Sequence, residues 1–408
     1  MRVAVYGLGN VGSALVAALL NAGFEVIGVD IKEKLVKDLN AGRIKSKEPG
    51  VKEAIRKGLK KGLFRATLDG VEASKQSKVK IIIVPVVLDK RNKADLKPLI
   101  NATKVIAKGL KKGDLVITET TLPIGTTANV VTPLLEKGSK LKAGKDFFVA
   151  HAPERVYVGR ILEDYKKYKK VVGGINRASG LKAKKFYEKL FPKGVILMEN
   201  SDAAEAAKIF GILYRNTNIA LANELYRICE RFGINFWKVR EAVNSIGFFH
   251  IHKPGIPGGY CVPVYPHFVS HLPEAELIRK VLEINEKKMV GYHVKKLEKE
   301  LRKIGKKLKN SKVLILGRSF RAGVKEDAYS ASLKFVKALK NKVKALIMYD
   351  PLYKKEEMEA LGVKGVDSLK DVIRKVDAVI IANDNRKFRI VKKIFKGPII
   401  DVFGVLED

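Results

Sequence analysis

The stretch that decides the fold is MRVAVYGLGNVGSALVAALLNAGFEVIGVD, residues 1–30. It reads as a β-branched strand, a glycine loop, an apolar helix from Ser13 to Ala22, a second strand and a terminal acid. The loop follows the pattern GxGxxG. Gly7 allows the tight turn, Gly9 lets the backbone approach a pyrophosphate, and Gly12 lets the helix pack closely on the strand. This order of elements predicts a dinucleotide-binding unit.

The polar groups of that unit indicate which dinucleotide binds. The N-terminus of the helix that this loop opens offers unpaired N–H groups and a partial positive charge to an anion. Asp30 ends the second strand and can accept hydrogen bonds from ribose hydroxyls, whereas a 2′-phosphate there would meet a carboxylate. We therefore expect NAD as the cofactor. A glycine loop without a nucleotide is the alternative, and the ordered elements argue against it.

Composition limits the class of protein. The chain has 408 residues, 46% of them hydrophobic, which suggests two or three domains. Its 80 Lys and Arg face 43 Asp and Glu, a net charge of +37. These basic residues are dispersed (for example 166–170), so solvated surface is favoured over a specific nucleic-acid site. No apolar run has the length of a membrane helix. Two cysteines favour a reducing cytoplasm. We predict a cytoplasmic protein with no specific nucleic-acid partner, no membrane partner and no metal site.

Apolar runs alternate with helical stretches in the first half of the chain. Such runs cover residues 80–85, 115–119, 147–150 and 195–198. Continuous apolar runs separated by helices predict a parallel sheet covered on both faces. The first domain is therefore expected to end near residue 200.

The rest of the chain divides into a helical part and a second α/β part. Helical periodicity covers 203–232 and 275–301, on either side of a loop at 248–267 that is rich in proline and glycine. Strand-like runs return at 312–317, 345–350, 377–382 and 397–401. The predicted fold class is α/β, with two Rossmann-like doubly wound domains joined by a central helical domain. The predicted bounds are 1–200, 201–304 and 305–408, and the long helices predict a homodimer.

Cys261 is the sharpest candidate for chemistry. It lies in the segment 254–263, where glycines let backbone and ligand come close to the sulfur. A thiolate near cationic groups is a strong nucleophile. A small buried cysteine in a turn is an equally open alternative. Cys229 lies among apolar neighbours on a predicted helix, which favours packing.

Three other segments carry groups that could act on a ligand. Lys208 lies in an apolar helical segment and could stabilise an oxyanion, or its ammonium could simply extend to solvent. Glu154 and Arg155 follow a strand where sheet ends face a ligand crevice, or they form an exposed ion pair. The threonine-rich segment 119–127 could hold water or amide groups, or Thr126 or Thr127 could cap a helix.

Taken together, these segments resemble the UDP-sugar dehydrogenases, in particular the branch that acts on UDP-N-acetylmannosamine or related UDP-N-acetylhexosamines. The resemblance runs in order along nearly the whole chain, so the ordered set is highly specific. Its pieces are the N-terminal nucleotide loop, Glu48-Pro49-Gly50, Glu119–Thr127, Ala152–Val156, Gly173-Gly174, Lys208, Asn218–Glu224, Gly258–Pro263, Gly317–Val324 and Tyr349–Pro351.

The resemblance implies an NAD domain, a dimerisation domain, a UDP domain and a four-electron oxidation of a UDP-sugar to the UDP-uronate. Cys261 would form a thiohemiacetal and then a thioester. Lys208 would stabilise oxyanions, Glu154 would act as acid or base in the thioester step, and Thr121 would position water. Cofactor contacts would come from Gly7, Gly9, Asn10, Val11, Gly12, Asp30, Val84 and Thr121. Substrate contacts would come from Glu154, Arg155, Lys208, His252, Gly258, Gly259, Phe320 and Arg321.

The chain departs from the family pattern at four positions. Ile212 replaces an asparagine four residues after the lysine, and Tyr265 replaces an aspartate four residues after the cysteine. Ala328 replaces an arginine two residues before Ser330, and Phe248 replaces an arginine three residues before an Ile-His pair. These changes leave open a catalytically weakened homologue that binds NAD or UDP-sugar as a regulatory or partner subunit. They equally leave open a remodelled site in which His250, His252 or Tyr260 takes over a role.

Overall fold

The computed structural model describes residues 1–407. The chain divides into two compact units, Met1–Phe210 and Gly211–Asp408, each with its own sheet. The long helix α9 (Ser201–Arg231) begins in the first unit and continues into the second. Among the described residues, no helix combines the length and the apolar character that crossing a bilayer requires.

The first unit is built on an eight-stranded sheet in the order β3-β2-β1-β4-β5-β6-β7-β8. The strands are β1 (Arg2–Tyr6), β2 (Glu25–Val29), β3 (Phe64–Thr67), β4 (Val79–Ile82), β5 (Leu115–Thr118), β6 (Phe148–His151), β7 (Lys170–Gly174) and β8 (Val195–Leu197). The first six strands have the order 3-2-1-4-5-6 of a dinucleotide-binding fold. The predicted doubly wound unit is confirmed.

One pair of strands contradicts the predicted all-parallel sheet. β6 and β7 are antiparallel, with Ala150 opposite Gly174. The remaining neighbours in this sheet are parallel. Strands buried on both faces read as the same continuous apolar run whichever way they point, so the sequence pattern carries no signal for direction.

Helices cover this sheet. They are α1 (Asn10–Asn21), α2 (Glu33–Asn40), α3 (Val51–Lys60), α4 (Gly70–Gln76), α5 (Lys97–Ala107), α6 (Thr132–Ser139), α7 (Ile161–Lys167) and α8 (Arg177–Tyr187), with a π-helical turn at Thr127–Val131. Side chains of β1, β2, α1, α3 and α8 meet in one apolar core. The predicted helix at 13–22 is confirmed as α1, which begins three residues earlier because the glycine loop itself opens it.

The second unit starts with helices. They are the remainder of α9, α10 (Phe236–Asn244), α11 (Glu276–Leu282) and α12 (Met289–Lys303). The predicted helix at 275–301 is interrupted by a π-helical turn, Glu283–Lys288. Asn285 sits in that turn, and its side-chain amide nitrogen donates to the carbonyl and the side-chain oxygen of Asn216 on α9, at 2.9 and 2.8 Å. The wider turn presents a buried polar group to α9.

The C-terminal part is a five-stranded parallel sheet in the order β11-β10-β9-β12-β13. The strands are β9 (Lys312–Leu316), β10 (Ala345–Tyr349), β11 (Lys364–Gly365), β12 (Ala378–Ile381) and β13 (Ile399–Asp401). The helices are α13 (Ala331–Leu339), α14 (Lys355–Glu359), α15 (Leu369–Ile373) and α16 (Val391–Ile394). Short 3₁₀ turns lie at Tyr265–Phe268, Leu308–Asn310 and Arg386–Ile390. The four strands predicted here are confirmed.

Candidate functional site

The glycine loop after β1 has the geometry of a phosphate-binding turn. Gly7 has φ 104°, and a Cβ there would lie 2.7 Å from the carbonyl oxygen of Ile83. A Cβ on Gly12 would lie 2.0 Å from the carbonyl oxygen of Gly7, so helix and strand touch at this point. A Cβ on Gly9 would meet nothing within 4 Å. Gly9 also precedes α1 without a side-chain cap, so the first-turn N–H groups of Asn10, Val11 and Gly12 are available to an anion.

Asp30 is tied to the same loop. It follows β2, and its Oδ2 accepts a hydrogen bond from the Leu8 N–H at 2.9 Å, while Oδ1 accepts from the Lys32 N–H at 3.0 Å. Each carboxylate oxygen retains a lone pair for a ribose hydroxyl. At the ends of β4 and β5, the carbonyl of Val84 accepts from the Thr120 hydroxyl at 2.6 Å. The open face at Gly9 and the acid beside it fit a dinucleotide with an unphosphorylated ribose.

A second group of polar side chains lies where β5, β6 and β7 meet. Lys170, at the start of β7, places its ammonium 3.3 Å from Glu119 Oε1 and 3.1 Å from Glu154 Oε2, and its side chain is 2% exposed. The partner of Glu154 is therefore Lys170. Arg155 instead donates to the Lys169 carbonyl at 2.7 Å, so the alternative of an exposed ion pair between Glu154 and Arg155 is wrong.

Two tyrosines complete this cluster. The Tyr165 hydroxyl donates to Glu154 Oε2 at 2.7 Å, and the Tyr187 hydroxyl donates to Glu119 Oε1. The other Glu119 oxygen, Oε2, is buried and has no hydrogen-bond partner among the described residues. Burial raises the pKa of Glu119 to about 7, although the charge of Lys170 acts in the opposite direction. A carboxyl group with that pKa exchanges its proton near neutrality.

Sequence reasoning did not single out Glu119, Lys170 or the two tyrosines. Glu119 counted only as the start of the threonine-rich segment. Lys170 belonged to a run of lysines at 166–170 that was interpreted as solvated surface, and this interpretation is wrong for Lys170. The available signal was the strand that follows: Lys170-Val171-Val172-Gly173-Gly174 is an apolar run whose first residue lies inside the sheet.

The threonine-rich segment is fixed by a buried glutamate of α9. Glu205 accepts hydrogen bonds from the N–H groups of Gly125 and Thr127 at 2.6 and 2.8 Å, and from the Thr127 hydroxyl at 2.7 Å. Neither Thr126 nor Thr127 caps a helix with its side chain, so the capping alternative is wrong. Burial raises the pKa of Glu205 to about 7. Lys208 follows three positions later, which is the same side of the helix, and is partly buried.

In the second unit, Cys261 is exposed on a loop that rests on Phe320. The N–H of Gly259 donates to the Ala328 carbonyl at 2.7 Å. A Cβ on Gly258 would lie 2.7 Å from the Cβ of Phe320, and one on Gly259 would lie 3.0 Å from its ring. The glycines thus let the loop reach Phe320. The alternative of a buried cysteine in a turn is wrong for Cys261, whereas Cys229 is buried as predicted.

Asparagines of α9 hold the segment that precedes the cysteine. The Asn218 side chain accepts from the His252 N–H and donates to the His250 carbonyl, both at 2.7 Å. Asn223 bonds both the N–H and the carbonyl of Gly255, at 2.8 and 2.9 Å. Burial lowers the pKa of the partly buried His252. These contacts explain why the motif 218–224 accompanies the cysteine loop.

The four departures from the family pattern have different surroundings. Tyr265 is partly buried, and its ring centroid lies 5.4 Å from that of Phe268. Ala328 contributes its carbonyl to Gly259, a contact that does not depend on its side chain. Phe248 is 80% exposed and contacts Phe249, and Ile212 is partly buried on α9.

The loop after β9 repeats the design of the glycine loop after β1. Gly317 has φ 93°, and the carboxylate of Asp350, which follows β10, accepts from the N–H groups of Arg318 and Ser319 at 2.7 and 3.0 Å. Phe320 and Arg321 come next, with the guanidinium 5.6 Å from the ring centroid. This loop, held by Asp350, lies at the carboxyl ends of two neighbouring strands, where α/β sheets bind ligands, and is a second candidate ligand site.

Comparisons with known proteins cover the whole chain. Three models of the UDP-glucose/GDP-mannose dehydrogenase family match in succession: its NAD binding domain at residues 1–191, its central domain at 202–287 and its UDP binding domain at 314–408.

Individual relatives agree with these family models. The UDP-N-acetyl-D-mannosamine dehydrogenase of Pyrococcus horikoshii is 35% identical over 395 residues, covering 96% of this chain and 91% of that protein. A solved structure of UDP-D-ManNAc dehydrogenase from the same organism covers 100% of this chain and 96% of its own, with a TM-score of 0.92 and 33% identity. The NDP-N-acetyl-D-galactosaminuronic acid dehydrogenase structure from Methanosarcina mazei has a TM-score of 0.86 at 28% identity, covering 100% and 92%.

Proposed function

Because the chain belongs to the UDP-glucose/GDP-mannose dehydrogenase family and is an NAD-dependent nucleotide-sugar dehydrogenase, we propose that it oxidises UDP-N-acetylmannosamine, or a related UDP-N-acetylhexosamine, to the uronate. The names of two similar relatives, both UDP-N-acetyl-D-mannosamine dehydrogenases, support this choice of sugar. The observation that carries the proposal is Cys261, which is exposed on a glycine loop resting on Phe320. The domain bounds 1–200, 201–304 and 305–408 and a cytoplasmic location remain part of the proposal.

The proposed reaction removes four electrons in two oxidations. NAD bound at the glycine loop would accept the hydride of the first oxidation, and a second NAD, bound after the first NADH has left, would accept the hydride of the second. The primary alcohol first becomes an aldehyde, with loss of a hydride and a proton. The Cys261 sulfur then bonds to the aldehyde carbon, and the thiohemiacetal loses a second hydride and a proton to give a thioester. Water adds, the C–S bond breaks, and the uronate leaves. The covalent adduct divides a difficult oxidation into easier steps.

Other residues are proposed to hold charges and protons during these steps. Lys208 stabilises the oxyanion that develops at the reacting carbon. Glu154 accepts the proton of the attacking water, and Thr121 holds that water in place. Arg155, His252, Gly258, Gly259, Phe320 and Arg321 are proposed to contact the UDP-sugar. Asp30 and Val84 are proposed to contact NAD together with the glycine loop and Thr121.

NADH absorbance with a panel of UDP-sugars tests this proposal. UDP-N-acetylmannosamine is expected to give sustained NADH production. Cys261→Ser should reduce uronate formation on the order of 10³-fold or more, because the covalent intermediate cannot form. Cys229→Ser is the matched control, since Cys229 is buried on α9 in an apolar cluster with Ala222 and Phe236, and it should retain turnover. Unchanged uronate production by Cys261→Ser would contradict the covalent route.

A second candidate function is favoured by the side chains at Ile212 and Tyr265. Ile212 cannot hydrogen-bond a substrate, and a tyrosine at position 265 is a poorer base than an aspartate. The chain would then be a catalytically weakened homologue that binds NAD or UDP-sugar as a regulatory or partner subunit. If no UDP-sugar in the panel gives NADH production while calorimetry shows that NAD and UDP-sugar still bind, this function would be favoured over the dehydrogenase.

We also propose a homodimer. Helix α9 exposes large apolar side chains at seven-residue intervals: Tyr214 is 64% exposed, Leu221 49% and Ile228 52%. Seven residues are close to two helical turns, so these side chains form one apolar stripe. Light scattering is expected to give the mass of a dimer. A Leu221→Lys, Ile228→Lys double variant should give the monomer mass, and a wild-type monomer would contradict the proposal.

A further inference from the structure

The cluster of Glu119, Glu154 and Lys170 holds one cation between two carboxylates, with little contact to solvent. Lys170 is 2% exposed, Glu119 is 0% exposed and Glu154 is 11% exposed. The Lys170 ammonium also lies 5.0 Å from the ring centroid of Tyr187 and 5.3 Å from that of Phe191. These aromatic rings shield the ammonium from solvent, so its contacts with the two carboxylates dominate its electrostatic environment.

We propose that Lys170 is a positioning residue whose charge is shared between Glu154 and Glu119, so that the ionisation of Glu119 sets how readily Glu154 takes a proton from water. This inference rests on the proposed function, in which Glu154 receives that proton during thioester hydrolysis. In that step the oxygen–carbon bond forms and the C–S bond breaks. The Cys261 sulfur takes the electron pair, and Glu154 takes the proton.

The charges of the cluster explain why the two carboxylates are coupled. With both ionised, two negative charges face one ammonium in a place sealed from water, and a net negative charge there is costly. The proton that Glu119 holds near neutrality relieves this cost. The other titratable groups facing the cluster are Tyr165 and Tyr187, whose pKa values burial raises, His151, whose pKa burial lowers to about 3, and Arg155, whose backbone N–H donates to Glu154 Oε1 at 3.0 Å. The two tyrosines and the histidine stay neutral across the working pH range, and Arg155 stays cationic.

The ionisation state of Glu119 changes the strength of Glu154 as a base. When Glu119 is neutral, Lys170 pairs with Glu154 alone and stabilises its ionised form. When Glu119 is ionised, the same ammonium is divided between two carboxylates, and Glu154 binds a proton more readily. Replacing Lys170 should therefore shift the acidic limb of the pH profile, whereas Glu119→Gln should leave that limb in place and remove the change in kcat near pH 7, where Glu119 loses its proton. A loss of packing at either position has no reason to produce these two different changes.

The chain offers a matched control in the buried pair Lys80 and Asp114. The Lys80 ammonium lies 2.5 Å from Asp114 Oδ2, both side chains are 0% exposed, and Lys80 is on β4 of the same sheet. This pair is as buried as the cluster but has no proposed part in the reaction. Lys80→Met should lower the melting temperature without moving the pH profile, and it measures what the loss of a buried lysine does by itself.

The experiment compares Lys170→Met, Lys170→Arg and Glu119→Gln with wild type and Lys80→Met, using NAD and UDP-N-acetylmannosamine. Lys170→Met should move the acidic limb of the kcat profile to higher pH by about one unit or more, because an opposite charge within ~4–6 Å shifts a carboxyl by that amount. Intact mass spectrometry should show the thioester accumulating on Cys261 in this variant. Glu119→Gln should keep the acidic limb in place and lose the rise in kcat near pH 7, and Lys170→Arg should restore the wild-type profile.

The outcomes separate this inference from the proposed function. Wild-type turnover together with Lys170→Met and Glu119→Gln profiles that match Lys80→Met would overturn the inference alone. Absence of wild-type turnover would overturn the proposed function. In that case carbon-13 NMR of labelled glutamate carboxyl groups still reads the coupling, because the Glu119 titration near pH 7 should move to lower pH in Glu154→Gln, where the neighbouring negative charge is lost. An unmoved Glu119 titration would overturn the inference, and the isosteric Glu154→Gln serves if Lys170→Met fails to fold.

Discussion

Three glycine-to-alanine substitutions separate folding from cofactor binding in the first unit. In Gly12→Ala the new methyl group would lie 2.0 Å from the Gly7 carbonyl oxygen and 3.2 Å from a side-chain carbon of Ile83. The first of these atoms is backbone, so helix α1 must move by more than 1 Å to reach an ordinary contact distance. We expect a loss of about 3 kcal/mol in the free energy of unfolding, the upper end for overpacking, together with a loss of NAD binding.

Gly9→Ala should weaken NAD binding without lowering the free energy of unfolding. Its new methyl group meets nothing within 4 Å, and Gly9 has φ −65°, which any residue adopts. The unfolding free energy should stay unchanged. The methyl group projects where we place the pyrophosphate, and a charged hydrogen bond is worth ~1.5–3 kcal/mol. NAD affinity should therefore fall roughly ten- to a hundredfold.

Gly211→Ala is the matched control, because Gly211 lies in helix α9 and its added methyl group also meets nothing. It should gain about 0.5–1 kcal/mol in stability and keep NAD binding. Denaturant titration and calorimetry with NAD measure both quantities for each variant. Undiminished NAD affinity in Gly9→Ala, or wild-type stability in Gly12→Ala, would refute the account of the loop.

Three further predictions concern other residues. Asp30→Arg should shift cofactor preference from NAD toward NADP, since the guanidinium can pair with a 2′-phosphate; an unchanged kcat/KM ratio for the two cofactors would mean that Asp30 is not at the ribose. Burial raises the pKa of Glu205 above its unfolded value of 4.5 to about 7, so its stabilising contribution is complete below pH 4.5 and is lost as pH rises through 7. Compared with wild type, Glu205→Gln should flatten the decline in unfolding free energy over that interval by up to about 3 kcal/mol, and parallel pH curves would contradict this. Asn223→Ala should cost about 1–3 kcal/mol by leaving the Gly255 N–H and carbonyl unpaired, and it should raise KM for the UDP-sugar more than KM for NAD.

The sequence predicted those parts of the fold that depend on local patterns. Apolar runs predict buried strands such as β4, β5 and β9. The fixed spacing of its glycines predicts the nucleotide loop after β1. The direction of β7 was not predictable, because a run buried on both faces looks the same in either orientation. The π-helical turn around Asn285 was also missed, since its cause is a hydrogen bond to Asn216, a residue far away in the sequence.

The same distinction applies to the candidate sites. The glycines beside Cys261 and in the nucleotide loop identify these two candidate sites from the sequence alone, because close approach of the backbone requires glycine there. The sequence does not identify Lys170 as a site residue, since a lysine that follows several surface lysines has the same local pattern as they do. Only the fold brings it to Glu119 and Glu154, which follow two different strands. Networks of buried charge are therefore found from the folded structure.

In the proposed reaction, Cys261 carries the sugar through two oxidations without releasing the aldehyde. The most direct test is the number of NADH molecules formed for each UDP-N-acetylmannosamine consumed, measured together with the intact mass of the enzyme during turnover. We expect two NADH per uronate and an adduct on Cys261. One NADH per sugar, with aldehyde released and Cys261 unmodified, would contradict this expectation.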